Sequence, residues 1–514
     1  MVKLVASHVL NIAPWGMPYT WRPVTYVVGN YVCKTCSSLL PLLLWLKSSN
    51  EFRSAELDTV VIVLDSIIDW SRGVSKSRER EARNPCRTCF ERFAEYLKIA
   101  ESAKNYGELK QHVEEFVKRF VFCLSEQLVC TSVGEEMRVL LQDVLERLQV
   151  IVAPAIGRPG GLWVFRGKLH DYEVAVLRGL GELIISKPYR TLVVDLTHGI
   201  NFMPSLTTRL VPRIASILLA AHSSLNSVEV RLYNSDPIPP QASEDTVINI
   251  NEAVHSQVKT IELVHALSEK PIYTSSNEFE EGVIRFKELE EVRGRALSAL
   301  RYIYSALYYP LPLALYSFLC NMCSDVEEFR KADEYVAKAV RIVREEREDG
   351  SPRCEVVKPL TIDPDTYYVY WLVKALCYRV KCEEGEPTLE YLKGVVVLIY
   401  RLIHEAHVEL IWQELSRFER EIKDIMPTPK YQQLKGEWVP YPELKEERDS
   451  DRQMDRRIMI AHAGLQKDFI EVYIDEKPKV RYKLSLRELR EELRNVCLVI
   501  PGEQMYQKRC YHQA

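Results

Sequence analysis

Five short runs in the first 245 residues are apolar and rich in β-branched side chains: 4–13, 59–64 (TVVIVL), 150–153, 192–195 (LVVD) and 228–233 (VEVRLY). A strand with one wet face alternates apolar and polar residues. A near-continuous apolar run needs cover on both faces, as in a parallel sheet. Helical segments such as 37–46 and 205–221 lie between the runs. Buried strands alternating with helices dictate a doubly wound, Rossmann-like α/β domain with a parallel-type sheet. A helical insert of about 70–147 interrupts it. The insert opens with the charge-rich, solvated stretch SRGVSKSREREARNP and continues in amphipathic segments at 89–103, 106–129 and 134–148.

The stretch DPIPPQASED (236–245) carries three clustered prolines, which continue neither strand nor helix. It sets the first domain boundary, giving a domain at 1–245. Residues 246–354 read as a helical middle region that closes near REEREDG (344–350). Residues 355–514 read as a third, helical domain. In it, Pro387 and Thr388 start a long amphipathic helix over 389–424, and 427–447 reads as a loop. A further helix starts at Ser450 or Asp451. Residues 470–484 alternate around a turn at 475–478, which predicts a hairpin. Ser485 and Glu488 form a capping box that starts a final helix.

The formal charge of −4 over 514 residues excludes a global basic field. Any RNA contact must use a local patch or a site made by two subunits. The N-terminal residues lack a charged start followed by an unbroken apolar core, and the most apolar run, LLPLLLWL, is too short to span a bilayer. A cytoplasmic protein without a membrane partner is expected. Three CxxC pairs occur among 13 cysteines: Cys33/Cys36, Cys86/Cys89 and Cys320/Cys323. Fifty residues separate the first two pairs, too far for an ordinary four-cysteine zinc knuckle. Buried thiols, or disulfides as in a hyperthermophile's cytosol, are the expectation, with no metal.

The corner DLTHGINFMP (195–204) follows the fourth run. Ligands of open parallel sheets bind beyond the carboxyl ends of the strands. Gly199 lets a ligand approach, and Thr197, His198 and Asn201 offer hydrogen bonds. Pro204 suits the first turn of a helix whose unpaired N–H groups favour an anion. Other strand ends are also polar or glycine-rich: APWGMPYTWRPVTY with Gly16, Asp65 and Ser66, and PAIGRPGG. None is a GxGxxG or Walker loop, so NAD binding and ATP hydrolysis are unsupported.

These pieces occur in a telling order: WGxPxxWxxVxY (15–26), LDS (64–66), AIG…FxG (155–167), DLTHGINFMP and YNSDP (233–237). Together they resemble the CARF domain of Csx-type CRISPR-associated proteins. The resemblance implies a dimeric sensor of the cyclic oligoadenylate made by type III CRISPR complexes, with cyclic tetra-adenylate the expected activator. By it, Gly16, Asp65, Ser66, Thr197, His198, Gly199 and Asn201 line the ligand site. A two-fold dimer suits a symmetric ring, and dimers assembling further would be compatible with it.

Near the C-terminus, DRRIMIAHAGL (455–465) resembles the R-x4-6-H motif of HEPN ribonucleases, which are helical bundles. Arg457 and His462 are the catalytic candidates, and Arg456 is a second possible partner. Ile458 departs from the polar residue usual after the arginine. Five helical steps would put Arg457 and His462 about 140° apart around one straight helix. A cleft shared across a dimer axis avoids that separation. RNA supplies its own nucleophile, the 2′-OH. His462 can move protons near neutral pH and Arg457 can stabilise charge on phosphate, without a metal or other cofactor. The products would be a 2′,3′-cyclic phosphate and a 5′-OH. Arg401, His404 and His407 in RLIHEAH are a competing set. The sharp reading is a single-strand-specific endoribonuclease switched on by cyclic oligoadenylate. The alternatives are a non-catalytic sensor and a transcription regulator with a helix-turn-helix near 253–287.

Overall fold

The computed structural model describes residues 8–70, 84–131, 134–268, 271–274, 286–346, 352–382, 385–444 and 453–500. Its first element, β1 (His8–Trp15), opens a nine-stranded sheet. The sheet also contains β2 (Val24–Val28), β3 (Tyr31–Thr35), β4 (Glu56–Leu64), β5 (Val129–Cys130), β6 (Gln149–Ala153), β8 (Tyr189–Asp195), β9 (Val228–Ser235) and β10 (Val247–Val258), while β7 (Trp163–Arg166) belongs to a smaller sheet. The spatial order is β5-β3-β2-β10-β9-β8-β1-β4-β6. The five apolar runs of the sequence are β1, β4, β6, β8 and β9. They are neighbours, and every pairing among them is parallel. Val60 to Val63 and Leu192 to Val194 are all at 0% exposure, the double-faced burial their composition demands.

Four strands extend this core beyond what the apolar runs indicated. β2 and β3 form an antiparallel hairpin closed at Gly29, whose φ of +56° suits glycine. The sheet also runs past residue 245, because β10 returns antiparallel to β9. The proline-rich stretch is the loop between them. Asp236 fastens it, its carboxylate accepting from the Asn249 N–H at 2.9 Å and from Asn251 Nδ2 at 3.0 Å. Prolines ended the strand as expected, but a domain need not end where a strand does.

The insert forms helices Pro85–Glu101, Tyr106–Glu126 and Glu135–Glu146. Residues 71–83 of its charge-rich opening lie outside the described residues. Disulfides staple it to the sheet: Cys33–Cys130 across β3 and β5, Cys36–Cys86, and Cys89–Cys123 between the first two helices. Two more, Cys320–Cys382 and Cys323–Cys377, tie the helix Pro312–Glu327 to the C-terminal end of the helix Pro364–Arg379 and the residues just beyond it. Each CxxC pair therefore sends its two sulfurs to different partners. Closing such loops contributes about 2–4 kcal/mol each. Reduction under native conditions is expected to lower the melting temperature and loosen the insert first. Equal melting curves with and without reductant, with the thiols shown to be free, would contradict this.

The middle region holds helices Phe286–Tyr308, Pro312–Glu327 and Phe329–Lys338, with strands at either end. Residues 247–258, which overlap the start of the alternative helix-turn-helix, form β10 instead. Strands Arg341–Glu346 and Pro352–Val357 make the smaller sheet with β7, which joins the two halves of the chain. Residues 347–350 of the expected junction lie outside the described residues. Helix Pro364–Arg379 packs on helices Asp171–Ser186 and Met203–Ala221. Arg213 pairs with Asp365 across this contact and also with Glu262, while Arg178 pairs with Asp333 of the helix Phe329–Lys338.

Thr388 caps the next helical segment through the Tyr391 N–H, as its position predicts. The single helix expected over 389–424 is broken. A segment ends at Arg401, and His404 caps a new helix, Glu405–Ile425, its Nδ1 accepting from the Ala406 N–H at 3.1 Å. Histidine is a rare cap, so the break left no usual signal. The segment read as a loop contains short helices and the strand Trp438–Pro440, which pairs with the predicted hairpin, Ile470–Tyr473 and Lys479–Tyr482. Both halves of the Ser485–Glu488 capping box are formed. The helix start at Ser450 or Asp451 lies outside the described residues. Among the described residues, no helix is long and apolar enough to cross a membrane.

Candidate functional site

Connections leave β1 toward β4 on one side, and β8 toward β9 on the other. The sheet therefore reverses its winding between β1 and β8, and their carboxyl ends frame the crevice where such folds take ligands. Gly16 follows β1 and the THGIN corner follows β8. One hydrogen bond joins them, from the Gly16 N–H to the His198 carbonyl at 2.8 Å. A Cβ on Gly16 would lie 2.4 Å from Ile200 Cγ2, so glycine is required by contact. Asn201 holds a left-handed φ of +51°, which asparagine tolerates.

The corner is built on buried polar groups. The Asp195 carboxylate accepts from Ser38 Oγ at 2.6 Å and from the Thr197 N–H at 3.1 Å. His198 is 8% exposed and packs against Trp21, with ring centroids 4.1 Å apart. Its Nε2 accepts from the Ser38 N–H at 3.2 Å and lies 3.1 Å from the Tyr26 hydroxyl. A backbone N–H aimed at this nitrogen requires it to be unprotonated, and burial lowers the histidine's pKa to about 3. The unfolded chain takes up a proton near the ordinary value of 6.5. The stability His198 contributes is thus fully present above that pH and is lost as pH falls toward 3. Unfolding titrations should show a shallower acid slope for His198→Gln than for the wild type. Identical slopes would mean that His198 is not held neutral.

Asp65 is fully buried at the end of β4. One oxygen accepts from the Ala155 N–H at 2.7 Å and the other from the Tyr106 hydroxyl at 2.9 Å, with Lys358 Nζ 3.5 Å away. Burial pushes this carboxyl up, and Lys358 opposes the shift. Asp69 accepts from the Gly160 and Leu162 N–H groups. The two aspartates thereby pin the PAIGRPGG loop. Ser66 is 1% exposed, and its hydroxyl, like Trp15 Nε1, has no hydrogen-bond partner among the described residues.

Of the seven residues expected at this site, Gly16, Asp65, Ser66 and His198 lie beneath the surface and shape it. Thr197 and Gly199 are half-buried and Asn201 is exposed. The tryptophans read as corner residues pack on one another and on His198. The support from Ser38, Tyr26 and Asp195 was missed as a unit, because it comes from three separate stretches.

A second cluster lies in the C-terminal part. Arg456–Ala461 is a short helix capped by Asp455, and His462 sits at its C-cap with the chain already leaving the helix. Ala463 and Gly464 follow at positive φ. The straight-helix estimate for Arg457 and His462 therefore does not apply. Arg457 is exposed, and no hydrogen bond or ion pair joins it to His462 among the described residues. His462 instead meets Glu405–Ile425. Its Nδ1 lies 3.1 Å from Glu414 Oε2 and 3.3 Å from Arg417 Nη2. Arg417 and Glu414 pair at 2.6 Å. Glu414 and Arg417 were missed because that helix reads as an amphipathic packing helix, and only folding brings it to His462.

Of the competing set, His404 is used as a helix cap and His407 has a lowered pKa, through burial and its neighbour His404. Ile458 is 37% exposed, so the position usually polar faces outward here.

Two family models match the chain. The CARF domain of CRISPR system endoribonuclease Csx1 matches residues 10–237, from β1 through β9, and the HEPN domain of the same family matches residues 404–488. The second span contains Glu414, Arg417, Arg457 and His462. A CRISPR system endoribonuclease Csx1 from Methanocaldococcus jannaschii is 22% identical over 510 residues, covering 93% of this chain and 89% of the relative.

Proposed function

We propose, for a chain that belongs to the Csx-type CARF–HEPN ribonucleases, that it is switched on by cyclic oligoadenylate and cuts single-stranded RNA without a metal. That it is a CRISPR-associated endoribonuclease follows from its family. The observation that carries the catalytic reading is His462, half-exposed at a helix end and backed by Glu414 and Arg417. In this reading His462 moves the proton of the 2′-OH or of the leaving 5′-oxygen. Arg457 stabilises the charge that develops on phosphate. The products are a 2′,3′-cyclic phosphate and a 5′-OH.

Within one chain no hydrogen bond or ion pair joins Arg457 to His462 among the described residues, which supports a cleft completed by a second copy of the chain. Exposed Trp412 and Ile458, at 51% and 37%, are apolar surface that such a copy would cover. The sensor reading rests on the reversal point between β1 and β8. There the exposed Asn201 and the half-buried Thr197 and Gly199 lie beside the buried Gly16, Asp65, Ser66 and His198. Cyclic tetra-adenylate is the proposed activator, in a cytoplasmic homodimer. Ligand binding activates only if the ring prefers the active arrangement of the dimer.

The test is cleavage of a labelled single-stranded RNA in EDTA, with cyclic tetra-adenylate, with cyclic hexa-adenylate and with neither. Stimulation by the tetramer, and products with the stated ends, are expected. Loss of activity in EDTA would overturn metal-free chemistry, and equal rates without ligand would overturn the sensor reading.

A further inference from the structure

We infer that Glu414 is the positioning residue for His462: its carboxylate holds the Nδ1 proton, so that Nε2 is the nitrogen that exchanges protons with RNA, while Arg417 fixes Glu414. The inference rests on His462 being the group that moves the proton.

Three polar atoms meet at one point. Glu414 Oε2 lies 3.1 Å from His462 Nδ1 and 2.6 Å from Arg417 Nη2, and Arg417 Nη2 lies 3.3 Å from His462 Nδ1. A guanidinium has no acceptor and a carboxylate has no donor. If Nδ1 carried no proton, its lone pair would face a carboxylate oxygen at hydrogen-bond distance, which is repulsive. With a proton on Nδ1, both Nδ1 and Arg417 donate to Glu414, and the longest of the three distances is the one left over. The same bond persists when the ring becomes imidazolium. Nδ1 thus keeps its proton through the cycle, and only Nε2 gains and loses one. Glu414 has a 12% exposed side chain, against 36% for His462, so the carboxylate lies behind the ring and the ring keeps an open edge.

Charge around the ring is divided. Glu414 places a negative charge beside it and Arg417 a positive one. Beyond them, Arg417 Nε lies 3.9 Å from Glu421, which also receives the Tyr441 hydroxyl and lies 3.4 Å from Lys467. Arg457, on the histidine's own helix, is exposed. Residues 414 and 417 stand three apart on one helix, so they share a face and hold a fixed relation to each other.

The two neighbours predict opposite shifts. Glu414→Gln removes the negative charge and leaves Arg417 facing the ring. The limb of the pH–rate profile set by His462 should move to lower pH by about one unit, the scale of a charge within 4–6 Å. Arg417→Gln should move it to higher pH. The kcat of Glu414→Gln should fall roughly ten- to a hundredfold, the scale of loss when a metal-ligating histidine loses its outer hydrogen-bond partner, with KM for RNA little changed. Nitrogen-15 spectra of histidine-labelled protein give an independent reading. Neutral His462 should carry its proton on Nδ1 in the wild type and lose that preference in Glu414→Ala. Melting and cyclic tetra-adenylate binding like those of the wild type certify folding. If Glu414→Gln does not fold, the Arg417→Gln shift and the spectra decide. The inference is overturned if Glu414→Gln keeps the wild-type kcat and limb, if both variants shift the limb alike, or if neutral His462 carries its proton on Nε2. Undiminished cleavage by His462→Ala would instead overturn the reading of His462 itself.

Discussion

RNA cleavage by His462→Ala, measured with saturating cyclic tetra-adenylate, is expected to fall about a hundred- to ten-thousandfold, the range a positioned general acid or base supplies. Three features support so large an effect. The ring is oriented by Glu414, so its loss removes a prepared proton path. It is half-exposed, so alanine leaves no large buried cavity and the fold should survive. Its backbone lies at a helix C-cap that alanine can occupy, since its φ of −110° is ordinary for any residue. Ligand binding, read by calorimetry, should not change, because the sensor corner belongs to the α/β domain. Arg457→Ala should lose activity through transition-state charge, and through KM if the guanidinium also binds ground-state phosphate. Arg456→Ala and Arg401→Ala are the controls expected to retain most activity. Ligand-stimulated cleavage that survives His462→Ala would remove this histidine from the mechanism and return attention to His407.

The second large effect is on stability. Asp65 and Lys358 form an ion pair between the turn after β4 and the segment just beyond the strand Pro352–Val357. Asp65 is 0% and Lys358 4% exposed. A buried pair is weak evidence of net stabilisation, but removing one partner strands the other charge and costs about 3–5 kcal/mol. Lys358→Met should therefore lower the unfolding free energy by that amount in denaturant titrations. Asp65→Asn with Lys358→Met should recover much of the loss, since no charge is then left unpaired. In the proposed switch this pair would also bear on activation. Asp65 holds Ala155 and Tyr106 at the end of β4, while Lys358 belongs to the part of the chain that leads to the ribonuclease half. In Lys358→Met, cleavage should depend less on ligand at temperatures where the protein remains folded. Equal stability of the single and double variants would show that the pair is relaxed by water and holds nothing.

Much of the α/β half was legible because its signal is local. Five apolar runs gave five adjacent parallel strands, and the polar corners after them fell at the carboxyl edge of the sheet. Hairpin β2–β3 carried a readable sign too, a Gly-Asn pair between alternating segments, but only Val24 to Tyr26 fell within the corner motif and the pair itself went unread. Strand β10 was illegible for a different reason. Most of its side chains are exposed, so it lacks the apolar pattern that marks a buried strand. Its place is fixed by backbone pairing with β9 and by Asp236 across the loop.

The site residues divide in the same way. His198 reads as a hand offered to a ligand. The fold turns its Nε2 inward to Ser38 and Tyr26, because the start of the helix Leu39–Ser48 arrives there from another part of the sequence. Asp65 reads as a strand-end contact and becomes an anchor for Ala155, Tyr106 and Lys358. His462 could be picked out from its own motif, but Glu414 and Arg417 lie 48 and 45 residues away from it and carry no motif.

The amino-acid sequence by itself determined the class of the fold, the order of its two functional halves and the residues worth testing. Periodicity, turn chemistry and motif spacing are all written within a few neighbouring residues. Only the tertiary structure decided which of those residues face outward, which are buried supports, and which remote carboxylate orients the candidate histidine. Burial and hydrogen bonding depend on distances in space, and these are set when segments far apart in the chain pack together.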